Sequence, residues 1–88
     1  MSGATTNDAV ALALRALAAA LGNQRLATRF LSLSGIDPPD LRQRAGDPVL
    51  LGALLRFLEA HEPDLIAIAR ELAVKPEALV AARRELEQ

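Results

Sequence analysis

The chain has 88 residues, 51% of them apolar, with a formal net charge of −1 and no cysteine. That length makes one domain with a modest core, and that apolar content excludes a disordered chain. The missing thiols exclude disulfides, thiolate catalysis and zinc–thiolate sites, and the acidic balance lacks the basic footprint of nonspecific nucleic-acid binding.

Eighteen alanines and seventeen leucines against two phenylalanines favour helix over sheet throughout. Residues 1–5 read as a flexible N-terminal tail, and 6–88 as a single helical domain. Residues 1–7 contain no basic residue, so no secretory leader is expected. Thr6 or Asn7 is expected to cap a first helix running to Leu21, with Gly22 in the left-handed stop position. Val10, Leu14, Leu17 and Leu21 form one row on it, beside a row of Ala9, Ala13, Ala16 and Ala20. Asp8, Ala11, Arg15 and Ala18 make the polar side. The apolar arc covers more than half the circumference, so this helix is either wrapped by its own domain or completed by a partner. The apolar stretch 9–21, broken by Arg15, is shorter than the roughly 20 residues that span a bilayer.

Asn23 caps a second helix ending near Leu33, with Leu26, Phe30 and Leu33 on one face. Asp37-Pro38 starts a short third helix over 38–45, ended by Gly46, and Asp47-Pro48 starts a fourth running to about His61. Leu50, Leu51, Leu54, Phe57 and Leu58 form its inner face, leaving Gly52, Arg56 and Glu59 outside. A glycine inside a helix costs about 1 kcal/mol relative to alanine, so Gly52 either permits close approach of a neighbouring helix, the favoured reading, or is simply tolerated. A fifth helix over 63–72 turns in Leu65, Ile68, Ala69 and Leu72. After a turn over 73–75, a sixth runs over 76–86 with Leu79, Ala82 and Leu86 inward. The expected fold is all-α, a compact bundle of five to six short helices with proline-started helix-turn-helix joints, in which the first and fourth are the most buried. The likeness of Ile36-Asp37-Pro38-Pro39-Asp40-Leu41 to Val74-Lys75-Pro76-Glu77-Ala78-Leu79 follows from the capping residues that both joints require.

Little in the chain suggests catalysis. Its lone histidine, His61, reads as a cap on the carbonyls ending the fourth helix. Glu59, His61, Glu62 and Asp64 are carboxylate and imidazole neighbours, but adjacent positions on a helix end point apart, and they read as a solvated turn. The glycines form no phosphate-cradling loop. No metal, cofactor or catalytic residue is therefore assigned.

Two surfaces remain. Val10, Leu14, Leu17 and Leu21, with the Arg25–Arg29 pair that shares a face at i, i+4, are candidate interaction residues for a protein partner or a second copy. Residues 65–86 have the rhythm of a DNA-binding helix-turn-helix, with Lys75, Val80, Arg83 and Arg84 as candidate contacts. Base edges ask for several Arg, Asn or Gln side chains, and Glu77 brings negative charge to the approaching end, so nucleic acid is the lesser alternative.

The stretch Arg29-Phe30-Leu31-Ser32-Leu33-Ser34-Gly35-Ile36-Asp37-Pro38, with Asp40-Leu41-Arg42, Asp47-Pro48, Leu54, Phe57-Leu58, Glu62 and Pro76-Glu77-Ala78, resembles a family of short alphaproteobacterial proteins catalogued as a domain of unknown function (3572). The likeness runs from roughly Leu21 to Arg83. It implies a bacterial, cytoplasmic, all-helical protein and carries no activity, ligand or catalytic residue with it. That family more often has glycine where this chain has Ala73. The expectation from the sequence is thus a non-enzymatic protein-interaction or regulatory adaptor module, with no membrane association.

Overall fold

Prolines and short polar caps set the helix starts. A computed structural model describes the backbone of residues 2–88 and the side chains of residues 8–88. Six helices follow one another: α1 (Ser2–Leu21), α2 (Gln24–Ser34), α3 (Pro38–Gln43), α4 (Pro48–Glu59), α5 (Glu62–Glu71) and α6 (Pro76–Leu86). There is no strand among the described residues. The radius of gyration is 12.0 Å, matching the value of about 12 Å for a folded chain of this length.

α1 starts upstream of Thr6 and Asn7; those expected caps, and the expected tail over 1–5, fall outside the described side chains. Asn23 is the N-cap of α2, its side chain accepting from Leu26 N at 3.2 Å. The left-handed stop expected at Gly22 is not there. The α1–α2 turn is made instead by Asn23 in an extended conformation (φ −106°), while the Gly22 and Asn23 amides donate back to Ala18 and Ala20. Gly35 does take the left-handed position, at φ 71°, and its N–H donates to Leu31 O. Asp47 caps α4 through Val49 N at 2.9 Å. Asp37 starts α3 without a side-chain bond, and that helix ends at Gln43, short of the expected 45.

The core is leucine from α4 against alanine from α1. Leu50, Leu51, Leu54, Leu55 and Leu58 are buried together with Ala9, Ala13, Ala16, Leu17 and Ala20. The alanine row of α1, not its leucine row, is the inward face. α1 packs mainly on α6 and α4, and small side chains let those backbones approach closely. Leu17 alone of the leucine row is core; Leu14 and Leu21 are 36% and 39% exposed, and Val10 is half-buried.

Three further expectations are corrected. Leu33 is 73% exposed, because its flank of α2 faces an open groove beside α4. Gly52 is buried, covered by the Glu87 side chain, whose Cγ would lie 3.5 Å from an added Cβ; the close neighbour is a flexible side chain, not a helix backbone. His61 belongs to the start of α5, as its N-cap residue (φ −137°), with its carbonyl accepting from Asp64 N and Leu65 N.

The α5–α6 joint contains a left-handed alanine, Ala73 at φ 58°. Val74 N donates to Ala69 O and Ala73 N to Arg70 O, the paired bonds of a Schellman stop. An L-residue in this conformation costs roughly 1–2 kcal/mol, which glycine avoids. Ala73→Gly is therefore expected to raise stability by about 1 kcal/mol, read as a higher urea midpoint at unchanged slope. A lower midpoint would mean that the turn relaxes differently.

Candidate functional site

Among the described residues, the ion pairs that cross between helices gather into two clusters, apart from a local Arg44–Asp47 pair. In the first, Asp64 lies in the first turn of α5, near the positive helix end that favours a carboxylate. Arg25 Nη2 donates to its Oδ1 at 2.6 Å and Arg29 Nη1 to its Oδ2 at 3.2 Å, while His61 Nε2 stands 4.0 Å from Oδ2. Asp64 is itself buried. Burial pushes its carboxyl upward, but the Arg25 hydrogen bond and the charges of Arg25, His61 and Arg29 outweigh this and hold it below the usual carboxylate range. The Arg29 guanidinium also sits over the Phe57 ring, 5.4 Å from its centroid. α2 is thereby fastened to α5 and α4.

In the second cluster Arg56 donates through Nε and Nη2 to both oxygens of Glu87, at 2.6 and 2.8 Å, a bidentate fork. Arg83 bonds Glu59 and also Glu87 Oε1. The Arg56 hydrogen bond is the main reason the Glu87 carboxyl is held down, against burial, which pushes it up. This network ties α4 to the end of α6. A further tie joins α1 to the end of α5: Arg15 Nη2 donates to Leu72 O at 3.1 Å, a helix-ending carbonyl.

Two grooves flank α2. One, of about 350 Å³, is lined by Leu17, Leu21, Leu31, Pro38, Leu41 and Ala45 among others. The other, of about 320 Å³, runs between α2 and α4 along Phe30, Leu33, Ala53, Arg56, Phe57 and Ala60. Both are apolar troughs without converging polar groups.

The candidate residues distribute unevenly over this frame. Leu21 and the buried Leu17 line the first groove, while Leu14 is partly exposed further along α1 and Val10 is half-buried against the core. Arg25 and Arg29 share a face as expected, and that face meets Asp64. The turn expected to be solvated is so only in part: His61 and Glu62 are exposed, but Asp64 is buried and Glu59 turns to Arg83. Among the described residues no three His, Cys, Asp or Glu side chains gather as metal ligands. Of the helix-turn-helix candidates, Lys75 and Arg84 are exposed, Val80 packs against the core, and Arg83 is held by two carboxylates. Asp64 went unassigned in the sequence; the available signal was the Arg25–Arg29 spacing, which puts two cations on one face where a carboxylate is favoured.

The molecule is thus a small all-α domain with apolar grooves and ion pairs that cross between its helices. No helix of the described residues is long and apolar enough to cross a membrane. The chain belongs to the family described as "Protein of unknown function (DUF3572)", whose model matches residues 6–88. No curated protein and no solved structure matches it.

Proposed function

We propose that the chain is a non-enzymatic protein-interaction module, a small regulatory adaptor of the bacterial cytoplasm that works through the apolar edge of α1. The observation that carries this reading is the exposure of Leu14 and Leu21 in one row of α1, with Leu21 also lining a 350 Å³ apolar groove. Contiguous apolar surface of this kind marks partner sites. The simplest occupant is the same edge of a second copy, an isologous contact in which each Leu14 meets apolar surface of its partner. Arg42, which also lines the groove, would set the register with a carboxylate.

Sedimentation velocity tests this directly. The wild-type chain is expected to dimerise with rising concentration. The double variant Leu14→Glu, Leu21→Glu is expected to stay monomeric, with a thermal midpoint close to wild type, because neither leucine is core. A wild-type chain that is monomeric throughout removes self-association.

The alternative, a helix-turn-helix DNA binder using residues 65–86, draws on one observation: a tight stop at Ala73 and a proline-started α6, with exposed Lys75 and Arg84 nearby. Its weakness is chemical, since Arg83 is already paired and Glu77 occupies the first turn of α6. Fluorescence anisotropy with duplex DNA decides it: absence of binding even at low ionic strength removes the reading.

A further inference from the structure

We infer that the groove between α2 and α4 is a docking site for a short acidic amphipathic helix of a partner protein; this rests on the interaction-module reading and adds a second contact, on the other flank of α2 from the α1 edge.

The floor of the groove is aromatic. Both phenylalanines of the chain, Phe30 and Phe57, line it, with ring centroids 5.4 Å apart. Ala53 and Ala60 keep one wall low, and Leu33 stands on the other wall without burial. No carboxylate lines it. A trough between two helix walls receives the apolar stripe of a third helix, with anchors at i, i+3/i+4 and i+7.

Charge selects the occupant. The Arg25 and Arg29 side chains are 58% and 43% exposed, whereas that of Asp64, which offsets only one of their two charges, is 5% exposed. The carboxylate lies beneath and the guanidinium groups lie above, so solvent meets positive charge. Arg56, on the α4 wall, commits Nε and Nη2 to Glu87 and leaves Nη1 without a hydrogen bond among the described residues. Arg29 lies against Phe57 itself, so a glutamate flanking an apolar anchor would reach a guanidinium as the anchor reached the ring. Planar guanidinium forks bind carboxylates in two-point fashion, and a lysine-flanked helix would meet repulsion at the same positions.

The test is an NMR titration of the ¹⁵N-labelled full chain with two synthetic helical peptides. They share a leucine stripe and differ in carrying glutamate or lysine beside it; vesicles of phosphatidylcholine with phosphatidylserine form a third arm. The glutamate peptide is expected to saturate at a Kd on the order of 100 µM or below, with amide shifts centred on Leu33, Ala53, Phe57 and Ala60. The lysine peptide should bind at least roughly tenfold more weakly, as complementary charge requires. Leu33→Asp, at an exposed position, should abolish binding while leaving the thermal midpoint in place. Equal affinity for both peptides, no binding of the glutamate peptide at about 1 mM, or a preference for the vesicles overturns the proposal. Shifts confined to Leu14 and Leu21 would overturn the groove while upholding the α1 edge. Concentration-dependent shifts in the groove without peptide would give it to a second copy and likewise overturn it.

Discussion

Replacing Leu55 with alanine is expected to destabilise the domain by about 2–5 kcal/mol, as large-to-small changes do at fully buried positions. Leu55 is 0% exposed and lies in one continuous cluster with Leu51, Leu54 and Leu58. The removed atoms lose their transfer free energy, and the cavity they leave among rigid helices closes only in part. A domain of this size is stabilised by only about 5–15 kcal/mol in total, so the variant should melt at least about 10 °C lower. The informative comparison is Leu14→Ala on the exposed side of α1, expected to change stability by less than about 1 kcal/mol. Calorimetric scans of both variants check the pair; similar losses would mean that α1 is rotated relative to the arrangement described here.

Asp64→Ala is expected to cost about 1–3 kcal/mol, the usual loss when charge-assisted hydrogen bonds to a buried group are removed. It leaves Arg25 and Arg29, one helical turn apart, to repel each other. The sign of the pH dependence follows from the direction of the Asp64 shift. Its carboxyl is held below the unfolded value in the native chain, so ionisation contributes stability that is fully present above about pH 4 and is lost as pH falls from there through the native value. Chemical denaturation between pH 7 and pH 2 should therefore show a shallower acid decline in Asp64→Ala than in wild type. Parallel acid limbs would show that other carboxylates carry the effect.

Local chemistry explains why much of the fold was legible and where legibility stopped. Pro38, Pro48 and Pro76 and the polar caps Asn23 and Asp47 announce helix starts through backbone rules that act within a few residues. Gly22 misled because two stop-and-start residues stood side by side, and Asn23 in an extended conformation sufficed to turn the chain. The α1 wheel was ambiguous in principle: its alanine and leucine rows are both apolar, and the choice between them depends on how closely α6 and α4 approach. Leu55 escaped for a related reason, since α4 is surrounded on more sides than a simple stripe implies. The candidate site was readable only in halves. The Arg25–Arg29 spacing showed a shared cationic face, but its counter-charge, Asp64, lies in another helix and looks like an ordinary first-turn acid. The groove was invisible because it depends on α2 and α4 standing apart, which no periodicity encodes.

The mating of α1 with α6 has a kinetic side. During vectorial synthesis the alanine face of α1 leaves the ribosome well before the helix that covers it. Until α6 emerges, α2 to α5 can form turns and local pairs, but the seam that joins the two ends of the described chain has no second half. Folding by long-range closure of this kind makes the domain all-or-none: opening α6 uncovers α1 at once. Amide hydrogens in those two helices should therefore exchange together with those of α4, whose buried leucines they cover, at the slowest rates in the molecule, while α3, with only Leu41 in the core, opens on its own.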